Sequence, residues 1–166
     1  GFMNRKAARI ISVILFAVLF LASCGEKANY RNDLTVKEVM DKIEATVPLA
    51  DGYYSVDSDY FDYYFEGADA LVDSYEIRIA NASTNINQFG VFKVKAGQAE
   101  AMKTLCQAYI SLKMERWVLQ ADYIAAEHPK MENAEVRVFG NYVVYTMLTK
   151  EDKAAVFKAV EELLKQ

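Results

Sequence analysis

The chain has 166 residues, of which 53% are hydrophobic and 13% aromatic, enough apolar material for the core of one globular domain. Seven glycines and two prolines exclude a collagen-like or low-complexity chain, two cysteines are too few for a disulfide-stapled miniprotein, and the single histidine excludes a two-histidine zinc site. The net charge of −4 argues against a nucleic-acid partner, which would require a basic surface.

The beginning of the chain has the pattern of a secretion signal. Arg5, Lys6 and Arg9 precede an apolar run from Ile10 to Ala22 that only Ser12 interrupts. As a helix this run would be about 20 Å long, which is shorter than the roughly 30 Å hydrocarbon core of a bilayer. A positive segment followed by a short apolar one is typical of a signal peptide.

The end of the apolar run resembles the lipobox of bacterial lipoprotein signal peptides, in which a branched apolar residue and two small residues precede a cysteine. The matching residues are Leu21, Ala22, Ser23 and Cys24. The resemblance implies cleavage before Cys24, a covalent diacylglycerol on its thiol, and anchoring at the extracytoplasmic face of the cell membrane. The alternative is a short uncleaved membrane helix with a coincidental cysteine.

The expected organisation has three parts. Residues 1–23 are predicted to be the signal peptide, residues 24–33 the lipidated cysteine and a tether, and residues 34–166 a single domain. Gly1 and Phe2 stand before Met3 and are interpreted as an upstream start or a remnant of an expression vector. The tether is predicted because residues 25–33 show no apolar period.

The domain begins with two predicted helices. Thr35 and Glu38 have the spacing of a capping box, and apolar residues follow at helical spacing up to Pro48. A second, short helix is predicted from an N-cap at Ser58 to Gly67.

Two hairpins and two more helices are predicted to follow. Alternating residues over 75–80 and 89–95 predict one antiparallel pair, and Gly140-Asn141 between two β-branched runs predicts the other. A long helix is predicted after Gly97, reaching towards Ala126 and closed by His128 and Pro129, and Thr149 is expected to cap the last helix. The order α-α-β-β-α-β-β-α indicates an α+β domain with an antiparallel sheet of about four strands and helices mainly on one face.

A wider resemblance covers about residues 34–166. The segment Gln88–Gly97, the following helix with Trp117 and the segment Gly140–Val143 resemble a domain family of short Gram-positive (Firmicutes-type) lipoproteins with no assigned function. The resemblance implies a small α+β domain and an extracytoplasmic location. It supplies no catalytic residues.

The most unusual segment combines acidic and aromatic side chains. Nine acidic residues and no basic one occur between Lys42 and Arg78. The candidate binding patch in this segment consists of Tyr53, Tyr54, Asp57, Asp59, Tyr60, Asp62, Tyr63 and Tyr64. Its three aspartates are a weak candidate for a Ca²⁺ site, because their spacing does not match an EF-hand loop. The alternative is a solvated acidic face above buried aromatic rings.

These features favour a noncatalytic binding module over an enzyme. The sequence has no glycine-rich phosphate loop, nucleophile elbow or His-Glu-x-x-His motif. No cofactor is expected beyond the covalent diacylglycerol, and the expected partners are the membrane, through the lipid anchor, and a small-molecule ligand or an envelope protein. The alternatives are a structural or assembly partner of envelope proteins and a hydrolase that would use two of the carboxylates.

Two reactive side chains are given structural interpretations. Cys106 lies on the apolar stripe of the long predicted helix and is expected to be a buried, inert thiol. His128 is expected to lie at a helix end and to interact with the terminal carbonyl groups.

The lipobox predicts that Cys24→Ala abolishes processing and lipid attachment, because alanine has no thiol to acylate. Mass spectrometry of the N-terminal peptide from a bacterial host should show cleavage before Cys24 and the added mass of diacylglycerol in the unsubstituted chain. Cys106→Ala is the control and should leave the cleavage and the lipid attachment unchanged. An unmodified Cys24 still joined to Ser23 in the unsubstituted chain would contradict the prediction.

Overall fold

The computed structural model describes residues 29–120 and 122–166. The predicted signal peptide, the lipobox and Cys24 therefore lie outside the described residues. Within the described residues, none of the helices combines the length and the apolar character needed to cross a membrane.

The described residues form five helices and five strands, and they confirm the predicted α+β class. The helices are α1 (Val36–Thr46), α2 (Ser58–Tyr64), α3 (Ala99–Trp117), α4 (His128–Glu132) and α5 (Lys150–Leu164). The strands are β1 (Tyr53–Ser55), β2 (Val72–Ala80), β3 (Gln88–Val94), β4 (Glu135–Phe139) and β5 (Tyr142–Met147). The predicted order of the main elements agrees broadly with this arrangement.

One antiparallel sheet contains the strands in the order β1-β2-β3-β5-β4. Both predicted hairpins occur, and β3 pairs with β5 in the middle, with Gln88 opposite Met147 and Lys93 opposite Tyr142. The sheet has one strand more than the approximately four predicted, because β1 pairs with the outer edge of β2. A strand of three residues is too short to show a period of two in the sequence.

Helices cover both faces of the sheet, whereas the sequence predicted them mainly on one face. α1 and α5 pack on one face, with Phe89, Val91 and Val144. α2 and α3 pack on the other, with Phe92 and Tyr145. β3 and β5 are therefore buried on both sides, and this explains why neighbouring positions such as Val91 and Phe92 are both apolar.

The predicted helix caps are largely confirmed. The capping box between Thr35 and Glu38 starts α1, and the Thr149 side chain caps α5. α2 is capped by Asp57 instead of the predicted Ser58. Aspartate and serine are about equally good N-caps, so the sequence did not decide between these neighbours.

The long helix is shorter than predicted. α3 ends at Trp117, and the His128-Pro129 pair begins α4 instead of closing α3. Proline suits the first turn of a helix because the missing N–H would have no partner there. A proline after a helical pattern therefore indicates either the end of that helix or the start of the next one. Here it marks the start of α4.

The N-terminal end of the described chain packs on the domain, whereas a tether was predicted over residues 24–33. The Tyr30 hydroxyl donates to the Glu161 carboxylate at 2.6 Å, and Tyr30 forms an isolated antiparallel bridge with Lys165. The folded domain therefore includes residues from Asn29 onward. Glu161 lies 131 residues later along the chain, so no local pattern indicates this contact.

We expect Gly90→Ala to lower the free energy of unfolding by about 3 kcal/mol, the upper part of the usual range for overpacking a core. A Cβ at Gly90 would lie 2.3 Å from Cε1 of Tyr145, and the Tyr145 ring is fully buried, so it has little room to move aside. Urea denaturation of the two chains measures the difference.

Gly67→Ala is the matched control for this substitution. A Cβ at Gly67 meets no atom within 4 Å, and only the positive φ of 84° opposes it, at a cost of about 1–2 kcal/mol. Equal losses of stability in the two variants would show that the contact with Tyr145 is not what excludes a side chain at Gly90.

Candidate ligand-binding site

A cavity of about 600 Å³ lies where the ends of β2, β3 and β5 approach α2 and the second half of α3. Its lining includes Tyr54, Tyr60, Tyr64, Gln88, Lys113 and Arg116. The volume lies within the range of about 300–1,000 Å³ that is usual for small-molecule sites.

The loop between β2 and β3 forms one wall of the cavity, and a buried ion pair holds it. The buried ammonium of Lys130 donates to the Glu127 carboxylate at 2.8 Å and to Oδ1 of Asn85 at 3.1 Å. The same carboxylate accepts the backbone N–H of Ile86 at 3.0 Å. These bonds join the loop to the start of α4 and define the position of this wall.

Trp117, on another wall, is oriented by His128. The indole N–H donates to Nδ1 of His128 at 2.7 Å, and Nε2 of His128 lies 2.8 Å from a Glu132 carboxylate oxygen. Because an indole N–H can only donate, Nδ1 is the unprotonated nitrogen and Nε2 carries the proton. His128 therefore connects the end of α3 to α4, whereas the sequence predicted contacts with helix-end carbonyl groups.

A network of hydrogen-bonded tyrosines contacts Gln88 and includes Tyr60, two residues that line the cavity. The hydroxyls of Tyr109 and Tyr145 donate to Oε1 of Gln88 at 2.5 and 2.7 Å. Tyr60 bonds to the Tyr109 hydroxyl, and Tyr60 is the donor because Tyr109 directs its own proton at Gln88. Burial raises the pKa of Tyr60 to about 12 and also raises the pKa values of Tyr109 and Tyr145, so the three phenols are neutral at physiological pH.

Gln88 presents hydrogen-bond donors to the cavity. The residue is 6% exposed and belongs to the cavity lining. Its amide oxygen is used by Tyr109 and Tyr145, so the NH₂ group is the part that this side chain can offer to a ligand.

Lys113 and Arg116 place two positive charges at the cavity. Nζ of Lys113 lies 4.4 Å from the ring centroid of Tyr64 and 5.6 Å from that of Tyr60, within cation–π range. Nη1 of Arg116 donates to the Tyr64 hydroxyl at 2.8 Å. In the part of the chain that the structure describes, neither cation forms an ion pair with a carboxylate.

The structure places the tyrosines of the predicted binding patch in three different surroundings. Tyr54, Tyr60 and Tyr64 line the cavity. Tyr63 is exposed and contacts the edge of this group, with its ring centroid 4.8 Å from that of Tyr64. Tyr53 packs on the other side of the sheet, where its ring centroid lies 4.9 Å from that of Phe89.

The three aspartates of the predicted patch do not converge on one point. Asp57 turns its carboxylate towards its own helix and accepts the backbone N–H of Tyr60 at 2.9 Å, while Asp59 and Asp62 are exposed. Within the described ranges, no group of three or more His, Cys, Asp or Glu side chains could hold a metal ion. This arrangement favours the solvated acidic face over the Ca²⁺ site.

The polar residues of the cavity were missed by the sequence analysis. Lys113 and Arg116 have the spacing of one helical turn, and Gln88 is a polar residue at the start of an apolar strand. Each of these signals is common in ordinary domains, so none of them identified a site before the elements were placed together.

Cys106 belongs to the core and not to the cavity. It is fully buried on α3, as predicted, and burial raises the pKa of its thiol. A buried thiol of this kind stays protonated at physiological pH, which agrees with the expected lack of reactivity.

Comparison with protein-family models matches residues 49–148 to a domain of unknown function, DUF4358. The chain belongs to this family. The match agrees with the predicted resemblance to an uncharacterised domain family, and it spans all five strands. It also contains every described residue that lines the cavity, so the cavity lies within the DUF4358 domain. No curated protein and no solved structure gave a match to the chain.

We expect Tyr109→Phe to lower the free energy of unfolding by about 1–3 kcal/mol, because it leaves the Tyr60 hydroxyl without its acceptor and removes one of the two hydrogen bonds to Gln88. Urea denaturation measures the change. Tyr123→Phe alters an exposed tyrosine and should change stability by no more than about 0.5 kcal/mol. If Tyr109→Phe is no more destabilising than Tyr123→Phe, the tyrosine network does not stabilise the domain.

Proposed function

We propose that this DUF4358 protein is a lipid-anchored, noncatalytic binding module whose ligand occupies the cavity between α2, α3 and the β2–β3 loop. The cavity carries the proposal, because it combines aromatic and aliphatic walls with a few convergent polar groups. Among the described residues that line it, none is His, Asp or Glu, the side chains that most often act as general bases, so Ser83 in the lining has no such group there to activate it. This composition supports binding over catalysis at this cavity.

The lipobox supports the anchoring, and the position of the N-terminal segment supports an outward-facing cavity. Nζ of Lys93 and the hydroxyl of Tyr142 both donate to the Leu34 carbonyl, at 3.1 and 2.6 Å. Gln88 and Met147, at the other ends of the same strands, line the cavity. The five residue steps of β3 separate these ends by roughly 17 Å. The described chain therefore enters the domain at the end of the sheet opposite the cavity, which supports a cavity that faces away from an anchor at Cys24.

A second candidate function is a structural or assembly partner of envelope proteins. Val118, Leu119 and Tyr123, between α3 and α4, are 71%, 86% and 82% exposed. Exposed apolar side chains that are close in sequence favour contact with another protein. The two candidates differ in whether small molecules change the stability of the chain.

Trp117 provides the measurement that tests the proposed function, because it is the only tryptophan of the chain and it lines the cavity. The full chain in nonionic detergent is titrated with sugars, peptides and cell-wall fragments while tryptophan fluorescence and thermal unfolding are recorded. We expect at least one compound to change the fluorescence. At one hundred times its dissociation constant, it should stabilise the fold by about 2.7 kcal/mol.

Ser83→Phe should abolish both the change in tryptophan fluorescence and the thermal stabilisation. Ser83 lines the cavity, and a phenyl group would fill part of it. Thr84→Phe is the matched control, since it adds the same group to an exposed neighbour outside the lining. A response that survives Ser83→Phe would place binding elsewhere. A flat response across the panel would contradict the ligand-binding function and favour a protein partner, to be sought by crosslinking from Leu119 in the intact envelope.

A further inference from the structure

The charge of the cavity is opposite to that of the chain. The chain has a net charge of −4, and three cavity tyrosines come from its acidic segment. Nevertheless, the described residues that line the cavity include Lys113 and Arg116 and no carboxylate. α2 achieves this separation by directing Tyr60 and Tyr64 to the cavity while Asp59 and Asp62 remain exposed.

Lys113 differs from two largely buried cations of the domain, which pair with carboxylates. Lys130 contacts Glu127, and Arg78 contacts Glu44 at 2.7 Å. Lys113 is half-buried over tyrosine rings, and burial lowers its pKa. A cation held in this way has lost part of its hydration without gaining a carboxylate from the described chain, so an anion entering the cavity would stabilise its charged form.

The Gln88 side chain in the cavity lining also favours acceptor atoms of a ligand over donors. Gln88 directs its oxygen to two phenols, which leaves its NH₂ group for a ligand. Carboxylate and phosphate groups carry acceptor oxygens, and hydrogen bonds from charged or amide donors to such oxygens are among the stronger ones in proteins. The cations and the amide group thus select the same ligand chemistry.

From these three observations we infer that the cavity selects small organic anions that carry a carboxylate or phosphate group, with Lys113 and Arg116 as specificity-determining residues. The apolar body of the ligand would lie against Trp117, Met131 and Met147, which line the same cavity. This inference rests on the proposed binding function and adds the chemical class of the ligand.

Four probes that share a phenyl ring and differ in charge test the inference: benzoate, phenylphosphonate, benzamide and benzamidine. Each is titrated into the full chain in nonionic detergent at low ionic strength, with Trp117 fluorescence as the signal. The two anions should bind about tenfold more tightly than neutral benzamide, because charge-assisted hydrogen bonds are about twice as strong as neutral ones. Cationic benzamidine should bind most weakly, and the order of the two anions separates a phosphate from a carboxylate ligand.

Substitutions assign the preference to the two cations. Lys113→Met and Arg116→Gln should each reduce the affinity for the anions more than the affinity for benzamide, and the double variant should bind the anions and benzamide about equally. Lys103→Gln removes a charge from the same helix outside the cavity and should preserve the preference. Arg116 is exposed, so Arg116→Gln remains informative if Lys113→Met does not fold.

The outcomes separate this inference from the proposed function. Equal affinities for benzoate and benzamide, both abolished by Ser83→Phe, would overturn the inference and leave the binding function standing. An anion preference that persists in the Lys113→Met/Arg116→Gln variant would overturn the assignment to these residues. No response to any of the four probes would overturn the inference, and the wider panel of sugars, peptides and cell-wall fragments then decides the proposed function.

Discussion

The amide oxygen of Gln88 accepts two hydrogen bonds on which the arrangement of the domain depends. Tyr145 approaches it from β5 and Tyr109 from α3, and Tyr60 extends the network to α2. A buried polar group costs free energy unless it is bonded, so α3 must lie where its tyrosine reaches the centre of the sheet. The same bonds orient the Gln88 amide towards the cavity. The packing of one face of the sheet and the chemistry of the cavity therefore depend on the same side chain.

Two further features accompany this hydrogen-bond network: the space at Gly90 and the positive charge of Lys113. The missing side chain at Gly90 makes room for the ring of Tyr145, which in turn reaches Gln88. On the cavity side, Lys113 lies over tyrosine rings instead of a carboxylate. The cavity of a negatively charged chain thereby carries positive charge, and this contrast is the basis for the proposed anionic ligand.

The parts of the fold that were predictable from the sequence depend on short-range chemistry. The capping box at Thr35 and Glu38, the Thr149 cap and the Gly140-Asn141 hairpin each involve residues within a few positions of each other. The cap of α2 and the end of α3 are local errors, whereas the other errors involve contacts between distant segments. Tyr30 packs near the C-terminus, β1 joins the sheet by pairing with β2, and helices pack on both faces of the sheet.

The same distinction between local patterns and long-range contacts applies to the candidate site. The sequence alone identified the aromatic segment, its excess of acidic residues and the absence of the common catalytic motifs, since these are properties of composition and spacing. Tertiary structure decided which tyrosines share a cavity, which aspartates remain in solvent, and that Lys113, Arg116 and Gln88 join them. The physical reason is that a local pattern determines which face of an element is apolar, whereas the partner of that face depends on how all the elements bury their apolar surface together.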